Sequence, residues 1–323
     1  MSLLSLVARF SRPAVRTLRP RFFSLTLQRN KKAEPTTSSS IYNLPPSASK
    51  FKLRDIDLLR VGFKPASSEN AVIPDVEVTN FADNYILPHI NRKILSNAEF
   101  DVGEFQHISD PQVQTFATKL HNVVFNGFQV TGTAETFTDT LVDDLLRIVK
   151  LNYFPLMIRN HPLCKLYIED EPCVSSEPEF VVQRQKIVVL VDKHLKNVGY
   201  ATDFGESQIA VEILSCGSEN IRSLGEAPRD QTIWAIRVIS TYVTFYKATI
   251  TAMYWMELAN GLPKEESVKV QRWPAENGLT TGFDLAEPDG RRTVLTALVK
   301  ILVMVSSLAC FISPIYYNKE LLL

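Results

Sequence analysis

Lys186–Val191 reads Lys-Ile-Val-Val-Leu-Val, a run that is apolar from its second residue onward. A strand with one wet face alternates apolar and polar side chains. An unbroken run of β-branched residues and leucine is expected where both faces of a sheet are covered. This run therefore calls for a layered fold, with a sheet in the middle and cover on both sides. Its neighbours lie in the stretch Glu177–Glu212. Phe180–Gln183 is a short β-rich run just ahead, and the polar residues between the two make an antiparallel hairpin. Asp192, Lys193 and His194 follow at the carboxyl end of the buried strand, the end at which open α/β sheets bind ligands. Gly205–Cys216 has helical spacing. Ile209, Ala210, Val211, Ile213 and Leu214 are its packing residues, Gln208 and Glu212 share its polar side, and Gly217 reads as its stop signal.

The rest of the chain supplies support for that centre. Thr133–Leu151 is a helix that Thr131 or Thr133 can cap, and Glu135 and Asp139 suit the positive end of its dipole. Phe137, Leu141, Val142, Leu145, Leu146, Ile148 and Val149 fill one broad arc of it. Glu135 falls inside the arc, either as a first-turn acid that satisfies the dipole or as part of a site. Pro111–Phe125 carries a stripe of Val113, Phe116, Leu120, Val123 and Val124. Asp83–Leu95 also has helical spacing, with Pro88 inside it. Residues 156–170 hold a strand that ends before Pro172. Thr232–Ser240 and Tyr242–Ile250 alternate as a second hairpin, Met253–Leu258 is a helical turn, and Val268–Trp273 is a further strand. Asp284–Val305 returns to helical character. The expected class is α/β in the sense of α+β: a mixed central sheet flanked by helices over 131–300, with a helical N-terminal extension over 51–130.

The two ends differ from the body. Residues 1–40 hold eight Arg and Lys and a single acid, Glu34. With abundant Ser and Leu, residues 1–33 have the composition of a mitochondrial transit peptide and not of a secretory signal. Leu4, Val7 and Ala8 separate from Arg9, Arg12 and Arg16 on a helix, and Arg21-Phe22-Phe23-Ser24 looks like a matrix-protease cleavage site. A disordered basic tail is the alternative. Residues 34–50 are a Ser-, Thr- and Pro-rich linker. Residues 41–323 carry 27 basic and 34 acidic residues, so the body does not attract nucleic acid as a whole. Ile301–Tyr317 runs for 17 residues without a charge, the low edge of a membrane span. It reads either as an inserted helix or as a packed tail. The expected location is the mitochondrial matrix, or the inner membrane if that tail inserts.

Several chemistries find no support. Cys164, Cys173, Cys216 and Cys310 make no CxxC pair, so a zinc ribbon is not expected and the thiols read as reduced and partly buried. His89, His107 and His121 are isolated. There is no GxSxG elbow, no P-loop and no dinucleotide fingerprint.

Over residues 130–275 the order of elements is a helix with an inward Glu, a strand, a Pro-acid hairpin, a strand ending in Lys, a helix with Gln, and a second hairpin. With Glu135, Pro178-Glu179, Lys193 and Gln208 at their places in it, this order resembles the PD-(D/E)XK nuclease superfamily. The resemblance implies a restriction-endonuclease-like core that hydrolyses phosphodiesters of nucleic acid, DNA or RNA. It also implies a divalent metal, usually Mg²⁺, held by Glu135, Glu179 and Asp192. Lys193 would stabilise developing charge or orient the water, and Gln208 would belong to the helix motif that follows. Mg²⁺ prefers oxygen ligands, and a bound cation polarises the phosphate and acidifies the attacking water. A neighbouring Lys acts electrostatically on the charge that develops.

The chain departs from the pattern at one position. Side chains two apart on a strand share a face, so the acid partner of Lys193 belongs at 191, where this chain has Val191. Asp192 adjoins Lys193 and points to the other face unless a β-bulge turns it. The acid after Pro178 is also Glu in place of the commoner Asp. Two further readings stand beside the nuclease. One is a non-catalytic interaction or nucleic-acid-binding module on the same fold. The other is a mitochondrial protein anchored to the membrane through 301–317.

Overall fold

The computed structural model describes residues 42–78, 82–127, 135–193, 199–225 and 227–307. The segment expected as a transit peptide and the end of the apolar tail lie outside them. The apolar run becomes β6 (Ile187–Lys193), inside a mixed eight-stranded sheet. The other strands are β1 (Val61–Pro65), β2 (Met157–Asn160), β5 (Phe180–Gln183), β7 (Gln231–Ile239), β8 (Tyr242–Ile250), β9 (Val268–Trp273) and β10 (Phe283–Asp284). Their order is β1-β9-β8-β7-β6-β5-β2, with β10 beside β8. The pairs β6–β7 and β1–β9 are parallel and the remaining neighbours antiparallel. Parallel neighbours need a crossover, and α5 (Glu206–Leu224) lies in the connection from β6 to β7. The 51–130 region adds the edge strand β1 together with α1 (Leu53–Leu58), α2 (Arg92–Leu95) and α3 (Pro111–Asn126).

Because successive strand residues face opposite ways, the sheet separates two cores. Val189, Val191, Trp234, Ile236 and Val238 join the residues of α3, α4 (Glu135–Ile148) and α7 (Pro288–Ser307). Leu190, Ile233 and Ala235 join α5, α6 (Ala252–Leu258) and the separate hairpin of β3 (Cys164–Ile168) and β4 (Glu171–Ser176). Burial on both faces is what the unbroken Ile-Val-Val-Leu-Val run demands.

Several elements differ from their sequence expectations. Residues 156–170 form two strands, β2 and β3, because the chain turns at His161 with φ 47°. Pro172 lies inside β4, where the ladder to β3 shifts register between Leu166 and Tyr167. Asp83–Leu95 reduces to a 3₁₀ turn at Asp83–Tyr85 and the short α2, with Pro88 between them. On α4, Phe137 sits at the edge of the packed arc and is 39% exposed, while Thr138 lies at its middle and is buried.

Gly217 does not stop α5, which continues to Leu224 and ends at Gly225 in the left-handed conformation, φ 60°. A Cβ at Gly217 would lie 2.6 Å from Cζ2 of Trp255, so this glycine admits the Trp255 ring of α6 against the helix. The apolar segment at 301 begins inside α7, with Ile301 and Val305 buried in the first core. No helix among the described residues is long and apolar enough to cross a membrane. Residues 308–317 of that segment lie outside the described residues.

Candidate functional site

Strand register assembles the site. Asn160 of β2 pairs with Phe180, and one step further the His161 amide donates to the Glu179 carbonyl at 3.0 Å. Phe180 pairs with Val191, which continues the ladder to Glu179 beside Asp192. Asp192 pairs with Arg237 on β7, and Arg237 with Thr244 on β8. A polar row, His161–Glu179–Asp192–Arg237–Thr244, thus crosses the sheet at the carboxyl end of β6.

Asp192 shares the face of Leu190, toward α5, and Val191 packs in the opposite core. The β6–β7 ladder runs without a break from Val189 through Lys193, and the irregularity between β5 and β6 falls at Val182 and Gln183. No bulge turns Asp192. It keeps the orientation of a regular strand, and the acids gather on its own face instead of on that of Val191.

From above, α5 lowers Gln208 and Glu212 onto the row, one helical turn apart. Gln208 Nε2 donates to Glu212 Oε1 at 2.8 Å and to Asp192 Oδ2 at 3.3 Å. Glu212 is fully buried. Burial, foremost, and then the negative charge of Asp192 push its carboxyl well above the usual range, against the lowering effect of the Gln208 hydrogen bond; Glu179 adds to the rise. Its protonated form is therefore favoured. Glu179 Oε2 lies 3.2 Å from His161 Nδ1. The His161 side chain is 61% exposed and that of Glu179 19%, so the cluster meets solvent at His161 and closes at Glu212.

The structure thus brings together Glu179, Asp192 and Gln208. Glu135 opens α4, which packs on the other face of the sheet. Lys193 ends β6, and its side chain lies outside the described residues. Glu212 was not among the residues singled out from the sequence. In the sequence it lies on the polar side of an amphipathic helix, a side that normally faces water. Here that side faces a polar row on the sheet.

A second polar group continues from Arg237 under the first turn of α5. Glu206 is fully buried, and its Oε1 accepts from Arg272 Nη1 at 2.7 Å. Burial pushes the Glu206 carboxyl up to about 7, with Arg272 acting in the opposite direction. The Tyr246 hydroxyl faces the same carboxyl without the geometry of a hydrogen bond, and burial, with the Glu206 charge behind it, raises the phenol as well. Arg237 Nη1 donates to the Phe204 carbonyl and to Asn277 Oδ1, each at 2.8 Å, and Nη2 to Thr244 Oγ1 at 3.3 Å. Asn277 Nδ2 donates to the carbonyl and to Oδ1 of Asp203 at 3.1 and 3.0 Å. These bonds pin an unusual loop. Asp203 and Phe204 are left-handed at φ 48° and 52°, ahead of Gly205 at φ 92°. Left-handed non-glycine residues cost on the order of 1–3 kcal/mol each and persist where their surroundings over-determine them.

The donor set of the acid cluster is oxygen, the type a hard divalent cation prefers. The arrangement itself does not fit an ion. Among the described residues no group of three or more His, Cys, Asp or Glu side chains could hold one. The Gln208 amide nitrogen lies between the carboxyls of Asp192 and Glu212, and a proton on Glu212 relieves their repulsion. Comparison of the chain with protein-family models gives no match, and comparison with curated proteins gives none either.

Proposed function

We propose that this chain is a nuclease-like phosphodiester hydrolase of the mitochondrial matrix, with Glu179, Asp192, Gln208 and Glu212 at its centre. One observation carries this reading. Three residues picked out by the PD-(D/E)XK resemblance come from separate elements and meet at the carboxyl end of the buried central strand. Glu179 is the carboxylate within reach of solvent, and the buried Asp192 stands behind it. Glu212, raised by burial and by Asp192, favours its protonated form, so it adds no third charge beside Glu179 and Asp192. Mg²⁺ is the cation that the resemblance implies for such cleavage, and Glu135, on α4 across the sheet from Asp192, stands apart from this cluster. The described acids do not fit an ion as they are arranged.

A second reading, a non-catalytic nucleic-acid-binding module on the same fold, is favoured by the Gln208 amide. Its nitrogen spans Asp192 and Glu212 and supplies by hydrogen bonding what a cation would supply by charge. Incubation of the full chain with single- and double-stranded DNA and RNA, in Mg²⁺ and in EDTA, separates the two. Cleavage in Mg²⁺ that EDTA stops is the expected result. Intact substrates under every condition would leave the binding module.

A further inference from the structure

We propose that Tyr200 and Phe204 form a stacking platform for an unpaired nucleobase, which makes single-stranded nucleic acid the ligand of this site. The proposal rests on the nucleic-acid reading above and adds its ligand class. Tyr200 is 86% exposed, at the rim of the loop that leads into α5. Its ring meets that of Phe204 edge-on, with centroids 5.1 Å apart. An aromatic ring so open to water has little packing role of its own. The face it leaves free is flat and apolar, as a base requires.

The loop that carries the rings is fixed. The Gly199 carbonyl accepts from the Thr202 and Phe204 amides at 3.1 and 3.0 Å, and Arg237 and Asn277 hold the Phe204 and Asp203 carbonyls from below. Both left-handed residues are held in this way. A platform ordered in advance loses little freedom on binding. Arg237 also fixes where the platform stands. It is the register partner of Asp192 and bonds directly to Phe204, so one side chain separates the rings from the acid row.

Charge selects the mode of recognition. With 27 basic and 34 acidic residues beyond residue 40, the body repels a polyphosphate as a whole. A duplex offers a reader mainly phosphates and groove edges and hides its base faces. An unpaired strand offers base faces, whose stacking tolerates an acidic surface better than phosphate pairing does.

The test is fluorescence anisotropy in EDTA with the full chain, using labelled oligothymidylate, labelled oligouridylate and a mixed-sequence DNA duplex. The wild type is expected to bind single strands more tightly than the duplex. Tyr200→Ala should weaken single-strand binding about fivefold or more, and Tyr200→Phe should retain it. The DNA and RNA arms show which backbone is preferred. Equal binding by wild type and Tyr200→Ala, tighter binding of the duplex, or no single-strand binding at all would each overturn the proposal. Because these measurements exclude Mg²⁺, they fail independently of cleavage. A stacking ligand without hydrolysis removes the nuclease reading alone, and hydrolysis indifferent to Tyr200 removes the platform alone.

Discussion

Glu206 and Glu212 are fully buried acids on one helix, and each has a consequence for pH. The ordinary value for Glu206 is 4.5 and its value in the fold is about 7. Below about 4.5 the carboxyl is protonated folded or unfolded, and nothing is lost. As pH rises from there to about 7, the unfolded chain ionises first, so stability falls. Over that window the loss is about 3 kcal/mol at roughly 1.4 kcal/mol per unit. Glu212, raised by burial and by Asp192, adds a loss of the same sign. Glu206→Gln, which cannot ionise, should flatten part of the decline when urea unfolding is compared at about pH 5 and about pH 8. An unchanged slope would show that Glu206 does not titrate in this range. At this scale the sequence points to Glu179 and Gln208 through the order of elements, and to Asp192 only as the neighbour of Lys193, one place off the position held by Val191. It did not disclose Glu212, Arg237 or Arg272. Their roles depend on which strand lies beside which, and register is not written in spacing.

Among the elements, the strands from β5 to β9 and the helices α3 and α4 follow from hydropathy period, because both kinds of period are local properties. Gly217 shows where local reading ends. A glycine after an apolar helical stretch is normally a stop, yet this one sits mid-helix under the Trp255 ring. Gly217→Ala sets two effects against each other. Alanine favours the helix by about 1 kcal/mol, while forcing a methyl to within 2.6 Å of the indole costs about 1–3 kcal/mol. The ring belongs to a packed core and cannot swing aside freely, so overpacking wins. The variant is expected to melt several degrees below the wild type in calorimetry. A gain in melting temperature would show that α6 yields. The break between β2 and β3 turns on a left-handed histidine, His161, followed by Pro162; the proline marks the spot, but the positive φ that reverses the chain is not visible in the apolar pattern of residues 156–170.

Across the whole molecule, Arg291 ties the segment Ile86–Ile90 to α7. It is fully buried on α7. Its Nε donates to the Ile86 carbonyl at 2.6 Å, Nη1 to Leu285 at 2.7 Å, and Nη2 to Leu87 at 3.0 Å and to Ile90. Burial lowers it to about 10, so it remains a cation at neutral pH. The bond to Ile86 spans 205 residues of sequence, which is why no pattern in the chain announces it. Arg291→Met fills the volume but leaves buried carbonyls without donors, each costing about 1–3 kcal/mol. A loss of about 3 kcal/mol or more in denaturant unfolding is expected; a loss under about 1 kcal/mol would mean water replaces the guanidinium. The α+β sheet itself, with its two cores, was legible from the unbroken run in β6. What that run could not tell was whether the acids at its end would converge. The measurement that tests this most directly is the Mg²⁺-dependent cleavage rate of Asp192→Asn against wild type, with thermal unfolding followed in parallel. The expected rate is lower by at least about a hundredfold in a protein that still melts cooperatively. Cleavage at the wild-type rate by a folded Asp192→Asn protein would contradict that expectation.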